Sequence, residues 1–113
     1  MIEIQGQNIY ISRGDNCSIG VRLRNRGIGR QRDYVMADRE HLVFRLWDRC
    51  CHRIIGEIRS DNGSTAIAFP PEFTASLRGE YGYSLDIVFA DGTKETVIGA
   101  SPNGRAKFTV MEA

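Results

Sequence analysis

Apolar residues recur at every second position along most of this 113-residue chain, and a helical spacing appears once. That pattern predicts antiparallel β structure with one short helical turn. Ile9 and Ile11 close a short first strand and Arg13-Gly14-Asp15-Asn16 turns the chain. Cys17, Ile19, Val21 and Leu23 then alternate with Ser18, Gly20, Arg22 and Arg24, which gives one strand an apolar face and a basic face. Asn25 to Asp33 carries two glycines, three arginines and a single apolar residue, Ile28, so it reads as an exposed loop. Tyr34 to Ala37 is a candidate for brief pairing at a sheet edge.

From Leu42 the alternation returns, with Leu42, Phe44 and Leu46 inward and Val43, Arg45 and Trp47 outward. Asp48 to His52 joins this strand to Arg53–Arg59 as a hairpin. In that second arm Ile54, Gly56 and Ile58 share one face, and Ile55, Glu57 and Arg59 the other. Asn62-Gly63 favours the positive backbone angles of a tight reversal, and Thr65 to Phe69 follows as a strand. Pro71 suits a first helical turn, Phe73 and Leu77 lie four apart, and Gly79 can end the turn, so a short helix is expected near 71–77. Tyr81, Tyr83, Leu85, Ile87 and Phe89 form the longest alternating run and the best candidate for a central strand. Turns at Asp91-Gly92 and at Ser101-Pro102-Asn103-Gly104 lead to the last strand, closed by Phe108 and Val110.

The beginning of the long run carries the most information. A tyrosine two residues after a glycine, at the head of an alternating strand, can fold its hydroxyl onto the preceding backbone and fix a crossover between sheets. Tyr81 after Gly79 fits that role, with Tyr83 next on the same face. Turns every eight to twelve residues and about seven to eight short strands then predict an antiparallel, immunoglobulin-like β-sandwich.

Composition narrows the class. A hydrophobic content of 42% and a charged content of 26% match soluble globular proteins. The length allows one domain, 1–113, with a core of its own. No apolar run is long enough to cross a bilayer as a helix. The first residues have neither the basic segment nor the apolar stretch of a signal peptide, so export by that route is not expected. Three cysteines, two of them the adjacent Cys50 and Cys51, suggest no disulfide framework and fit a reducing compartment.

The net charge of +1 conceals a division. Residues 1–60 carry eleven arginines against seven acids, and residues 61–113 four bases against seven acids. Thirteen of the fifteen bases are arginine, the side chain suited to two-pronged contacts with carboxylates and phosphates.

Nothing in this pattern points to catalysis. His41 and His52 lie at opposite ends of the Leu42–Trp47 strand, and no Gly-x-Ser-x-Gly spacing surrounds any serine. Cys50-Cys51-His52, with Cys17 or His41, has the right atoms for zinc but lacks the spacing of structural sites, so a turn with incidental thiols is the favoured account. Arg13-Gly14-Asp15 spells an integrin-binding tripeptide, and a strand-to-strand turn explains it better. Arg22, Arg24, Arg26, Arg30 and Arg32 form the densest basic segment, with Arg45 on a neighbouring strand and Trp47 as an outward aromatic. These residues suit a protein interface, and binding of nucleic acid or another polyanion is the alternative. The interface residues to expect are Arg22, Arg24, Arg26, Arg45 and Trp47.

The order of elements resembles a family of short sandwich modules in tailed phages, the N-terminal domains of baseplate upper proteins and related tail-associated immunoglobulin-like domains. The likeness runs through Gly14-Asp15, Leu42-x-Phe44-x-Leu46, Leu77-x-Gly79-x-Tyr81-x-Tyr83-x-Leu85-Asp86-Ile87, Asp91-Gly92, Thr96–Gly99 and Lys107-Phe108-Thr109-Val110. It implies a non-catalytic virion or baseplate component, present in the bacterial cytoplasm before assembly. Such a component is multimeric, binds other tail proteins and holds no cofactor. Two features depart from the family pattern: the arginine-rich segment Asn25 to Asp33, and the cysteine pair in a turn where Gly, Asp or Asn is usual.

Overall fold

Period-two burial makes most of this chain extended, because each strand can then hide one face and leave the other to water. The computed structural model describes residues 2–4, 8–21, 23–25, 32–100 and 106–112. Its strands are β1 (Ile2–Ile4), β2 (Ile9–Ser12), β3 (Cys17–Gly20), β4 (Leu23–Asn25), β5 (Arg32–Asp33), β6 (His41–Trp47), β7 (Ile54–Arg59), β8 (Ala66–Phe69), β9 (Gly79–Val88), β10 (Lys94–Ile98) and β11 (Lys107–Met111). One helical turn, α1 (Pro71–Thr74), interrupts them.

The main sheet runs β2-β11-β9-β6-β7, with β10 also on β9. β9 is its centre. It pairs with β6 along one side, and on the other with β11 through Gly79–Gly82 and with β10 through Leu85–Val88. Smaller sheets, β3-β8 and β1-β4-β5, complete a β-sandwich-like all-β fold.

The core joins the layers through aromatic rings. Phe44 on β6 meets Phe69 on β8 at 5.1 Å and Phe108 on β11 at 5.6 Å, and Phe69 meets Phe108 at 5.4 Å. All three are fully buried, as are Leu42, Ile67 and Ile87. Ring pairs of this kind add about 0.5–1.5 kcal/mol each beyond area burial. Phe73 of α1 packs on the same cluster, and its ring lies only 3.0 Å from where a Cβ on Gly56 would stand. The short helix is tied down by Thr74, fully buried, whose hydroxyl accepts the Gly14 N–H at 2.9 Å.

Several elements differ from the sequence expectation. The single strand expected over Cys17–Arg24 is two strands in different sheets, β3 on β8 and β4 on β1, with Val21 N–H bonded to Thr65 O at the change. β2 runs parallel to β11, so the main sheet is mixed. Burial of alternate residues fixes a face, and the choice of neighbour is left to the rest of the chain. Arg32–Asp33, expected in a loop, pairs with β4, while Tyr34 forms no strand but bonds Leu23 O through its N–H. A bulge lets Trp47 face Ile54 and Leu46 face Gly56, which leaves Ile55 as the extra residue on β7. The helix ends at Thr74 rather than Leu77, and a Leu77 N–H bond to Thr74 O continues the turn.

Candidate assembly face

The outward side chains of the main sheet form a surface that holds two of the expected contact residues, Arg45 and Trp47. Register places Val43, Arg45 and Trp47 of β6 opposite Asp86, Ser84 and Gly82 of β9. Arg45 donates from Nη1 to Asp86 Oδ2 at 2.7 Å, and its Nε lies 3.6 Å from Glu57 Oε2 on β7. Trp47 donates from Nε1 to Ser84 Oγ at 2.9 Å. Long side chains thus lie along the sheet and bury Val43, Ser84 and Asp86 on a face nominally open to water. The Arg45 charge is answered within the chain, and Trp47 is half-buried and already bonded.

Sequence reasoning missed Ser84, Asp86 and Glu57. A signal was present: an acid and a hydroxyl at outward positions of the central alternating run. Their partners depend on strand order, which no local pattern contains.

At the edges of this face the side chains are more open. Tyr10 on β2 is 64% exposed and Met111 on β11 44%, and on β7 Ile54 is 46% exposed. Arg13 at the end of β2 pairs with Glu112 at 2.8 Å, and Arg13-Gly14-Asp15 is a strand-end turn with Gly14 at φ 81. Arg22 and Arg26 lie outside the described residues, as does Arg30. Arg24 and Arg32 are placed on β4 and β5 by their backbone alone.

The corner sits at the head of β9. Gly79 has φ 79, a left-handed value that glycine adopts without penalty, and Tyr81 Oη accepts the Arg78 N–H at 3.0 Å. Tyr83 lies two residues on, inside the core, stacked on Phe44 at 5.3 Å. Burial pushes its phenol up to about 12.

The turn from β6 to β7 carries the cysteine pair. Cys51 N–H bonds Asp48 O, Asp48 N–H bonds Arg53 O, and His52 N–H bonds Asp48 Oδ1. Cys51 has φ 57, the one positive value outside glycine among the described residues. Its sulfur lies over Gly82, 2.6 Å from the position a Cβ there would take. Burial raises the thiol, with Lys107 nearby acting in the opposite direction. Cys50 is exposed. Among the described residues no three of His, Cys, Asp and Glu come together in a way that could hold a metal ion.

His41 accepts from Arg59 Nη2 through Nε2 at 2.9 Å, because a guanidinium has no lone pair to offer. Burial first, then the Arg59 charge, holds this histidine below its ordinary value. A second polar knot lies under the approach to β6. Tyr34 Oη donates to the nearly buried Glu40 carboxylate at 2.6 and 2.8 Å, and Ala37 N–H donates to Oε1 at 2.8 Å. Burial, with Glu40 adding to it, pushes Tyr34 up to about 12.

A groove of ≈ 310 Å³ between β7 and α1 is lined by Leu46, Ile55, Glu57, Glu72, Phe73 and Leu77. No helix among the described residues is long and apolar enough to cross a membrane. These features define an all-β module whose most developed surface is a sheet face. Comparison with protein-family models, with curated proteins and with solved structures found no match.

Proposed function

We propose that this chain is a non-catalytic structural module that works through protein–protein contacts, assembling with copies of itself and with other tail components of a phage or prophage virion. The observation that supports it best is the outer face of the main sheet. Its central charges are paired internally while Tyr10, Met111 and Ile54 stay open at its edges. An apolar rim around neutralised polar groups suits a protein partner, since little charge must be stripped of water on docking. The virion setting comes from the order of the packing elements.

Polyanion binding draws less support. Arg45, the arginine expected to extend the basic stripe across a neighbouring strand, is engaged by Asp86 and Glu57, which removes one contact from a phosphate-binding surface.

Light scattering across a concentration series, at low and high salt, tests the reading. Self-association that grows with concentration is the expected result. A monomer throughout, together with no retention of tail proteins from the same genome, overturns it.

A further inference from the structure

A sheet that ends in an open strand can add a strand from another chain. Among the described residues, the main sheet ends at β7, which is paired on one side by β6 and on the other by no strand. Ser60 N–H bonds Leu42 O across the β6–β7 ladder. Bonding alternates by residue, so Gly56, Ile58 and Ser60 turn their backbone groups to β6, while Glu57 and Arg59 present theirs at the free edge. The bulge lies earlier on β7, at Ile54 and Ile55, and leaves this stretch regular. β7 holds neither proline nor lysine, two residues that commonly blunt such an edge. The groove against α1 leaves space beside Gly56 and Glu57.

The charges on this edge select its occupant. Glu57 is 48% exposed, and Arg45 Nε, its neighbour at 3.6 Å, stands outside hydrogen-bond range while Arg45 Nη1 is held by Asp86 at 2.7 Å. Arg59 is exposed, and its bond to His41 uses Nη2 alone among five guanidinium donors. Two β7 strands related by a two-fold axis run antiparallel, and the residue on the axis stands opposite its own copy. An axis at Glu57 opposes two carboxylates, and one at Arg59 opposes two guanidinium groups. With the axis at Gly56, Arg59 meets Arg53. With the axis at Ile58, Glu57 of each copy meets Arg59 of the other, and like charges directly opposite one another are avoided. The residues opposed in that register are the ones with outward backbone groups, so each facing pair can exchange both N–H···O bonds. Ile58, partly buried against the core on the inward face, then meets its own copy beneath the charged pairs.

We propose that β7 is a self-pairing edge: two copies of this chain join β7 to β7, antiparallel about Ile58, and continue the main sheet from one copy into the other. The contact is isologous and closes as a dimer. This inference rests on the assembly reading above and names the surface and the register.

The test is a charge exchange in the full-length chain. Glu57→Arg places two arginines opposite two arginines, and Arg59→Glu places two acids opposite two acids. Each variant alone should dimerise at least about tenfold more weakly than wild type in sedimentation at low salt. An equimolar mixture of the two should recover wild-type affinity, because every facing pair is then opposite in charge, and Glu57→Arg/Arg59→Glu should recover it as a homodimer. Cooperative urea unfolding with the wild-type m establishes that each variant folds. Amide exchange of wild type gives a reading free of substitutions: protection at Glu57 and Arg59 should grow with protein concentration, while Ile58 and Ser60 stay protected throughout. Variants that dimerise as wild type does, or self-association without added protection at Glu57 and Arg59, overturn this inference and leave the assembly reading standing. A wild-type monomer at every concentration overturns this inference too, and the assembly reading then stands or falls on retention of the tail proteins.

Discussion

Gly82 and Cys51 touch across the outer face of the main sheet, and their contact predicts a change of sign. A methyl on Gly82 would stand 2.6 Å from Cys51 Sγ, roughly 1 Å inside ordinary packing distance. The thiol is poorly placed to retreat, since Cys51 N–H is bonded to Asp48 O and the turn closes through Asp48 N–H to Arg53 O. Gly82→Ala should therefore cost roughly 2 kcal/mol as overpacking, offset by roughly 0.5 kcal/mol from a less flexible unfolded chain. The net loss is about 1.5 kcal/mol, or about 6 °C in Tm for a chain of this length. Cys51→Gly removes the sulfur and also the left-handed strain at φ 57. In that background only the unfolded-state gain remains, and Gly82→Ala should stabilise by about 0.5 kcal/mol. Urea unfolding of the four proteins, read as midpoint shifts at constant m, gives an expected coupling of about 2 kcal/mol. Equal effects of Gly82→Ala in both backgrounds would refute the contact and the account of the turn built on it.

Three further outcomes follow from polar groups at fixed places. Tyr81→Phe removes the acceptor of the Arg78 N–H and should lower stability by about 1 kcal/mol, with amide exchange at Arg78 accelerated; unaltered exchange would show that the corner bond does not form in solution. Tyr34→Phe leaves the nearly buried Glu40 carboxylate with the Ala37 N–H but without the phenol, and a loss of about 1–3 kcal/mol in urea unfolding is expected. Wild type should also lose stability as pH rises from 10 toward 12, where the unfolded phenol ionises and the folded Tyr34 does not, and that loss should shrink in Tyr34→Phe. His41 titrates below its ordinary 6.5 when folded, so its contribution is complete above pH 6.5 and is lost as pH falls through the folded value. The urea midpoint should therefore drop between pH 7.5 and 5.5 more in wild type than in His41→Gln, and equal drops would reject the assignment.

The local pattern was a sound guide wherever one face of a strand had to be dry. Leu42, Phe44 and Leu46, and Tyr83, Leu85 and Ile87, are buried as alternation requires, and β9 is the central strand that its length suggested. Turns were equally legible, because Gly14, Gly63 and Gly92 take positive backbone angles whatever the strands around them do. The contact face was less so. Arg45 and Trp47 are outward in the sequence, but whether they meet a partner or a neighbouring strand depends on Asp86 and Ser84, some forty residues away. Cys51 read as an odd residue for its turn; that its sulfur covers Gly82 followed only from the β6–β9 register.

By itself, then, the order of residues determined an all-β chain, its turns and most of its dry faces, because a residue's burial within a pleated strand repeats every second position and needs no knowledge of the neighbour. The tertiary structure alone decided that Cys17–Asn25 divides between two sheets, that β2 lies parallel to β11, and that Arg45 on the outer face of the main sheet meets Asp86 and Glu57. Each of those outcomes is a choice among distant partners with similar local preferences, and the choice falls to the packing of the whole core.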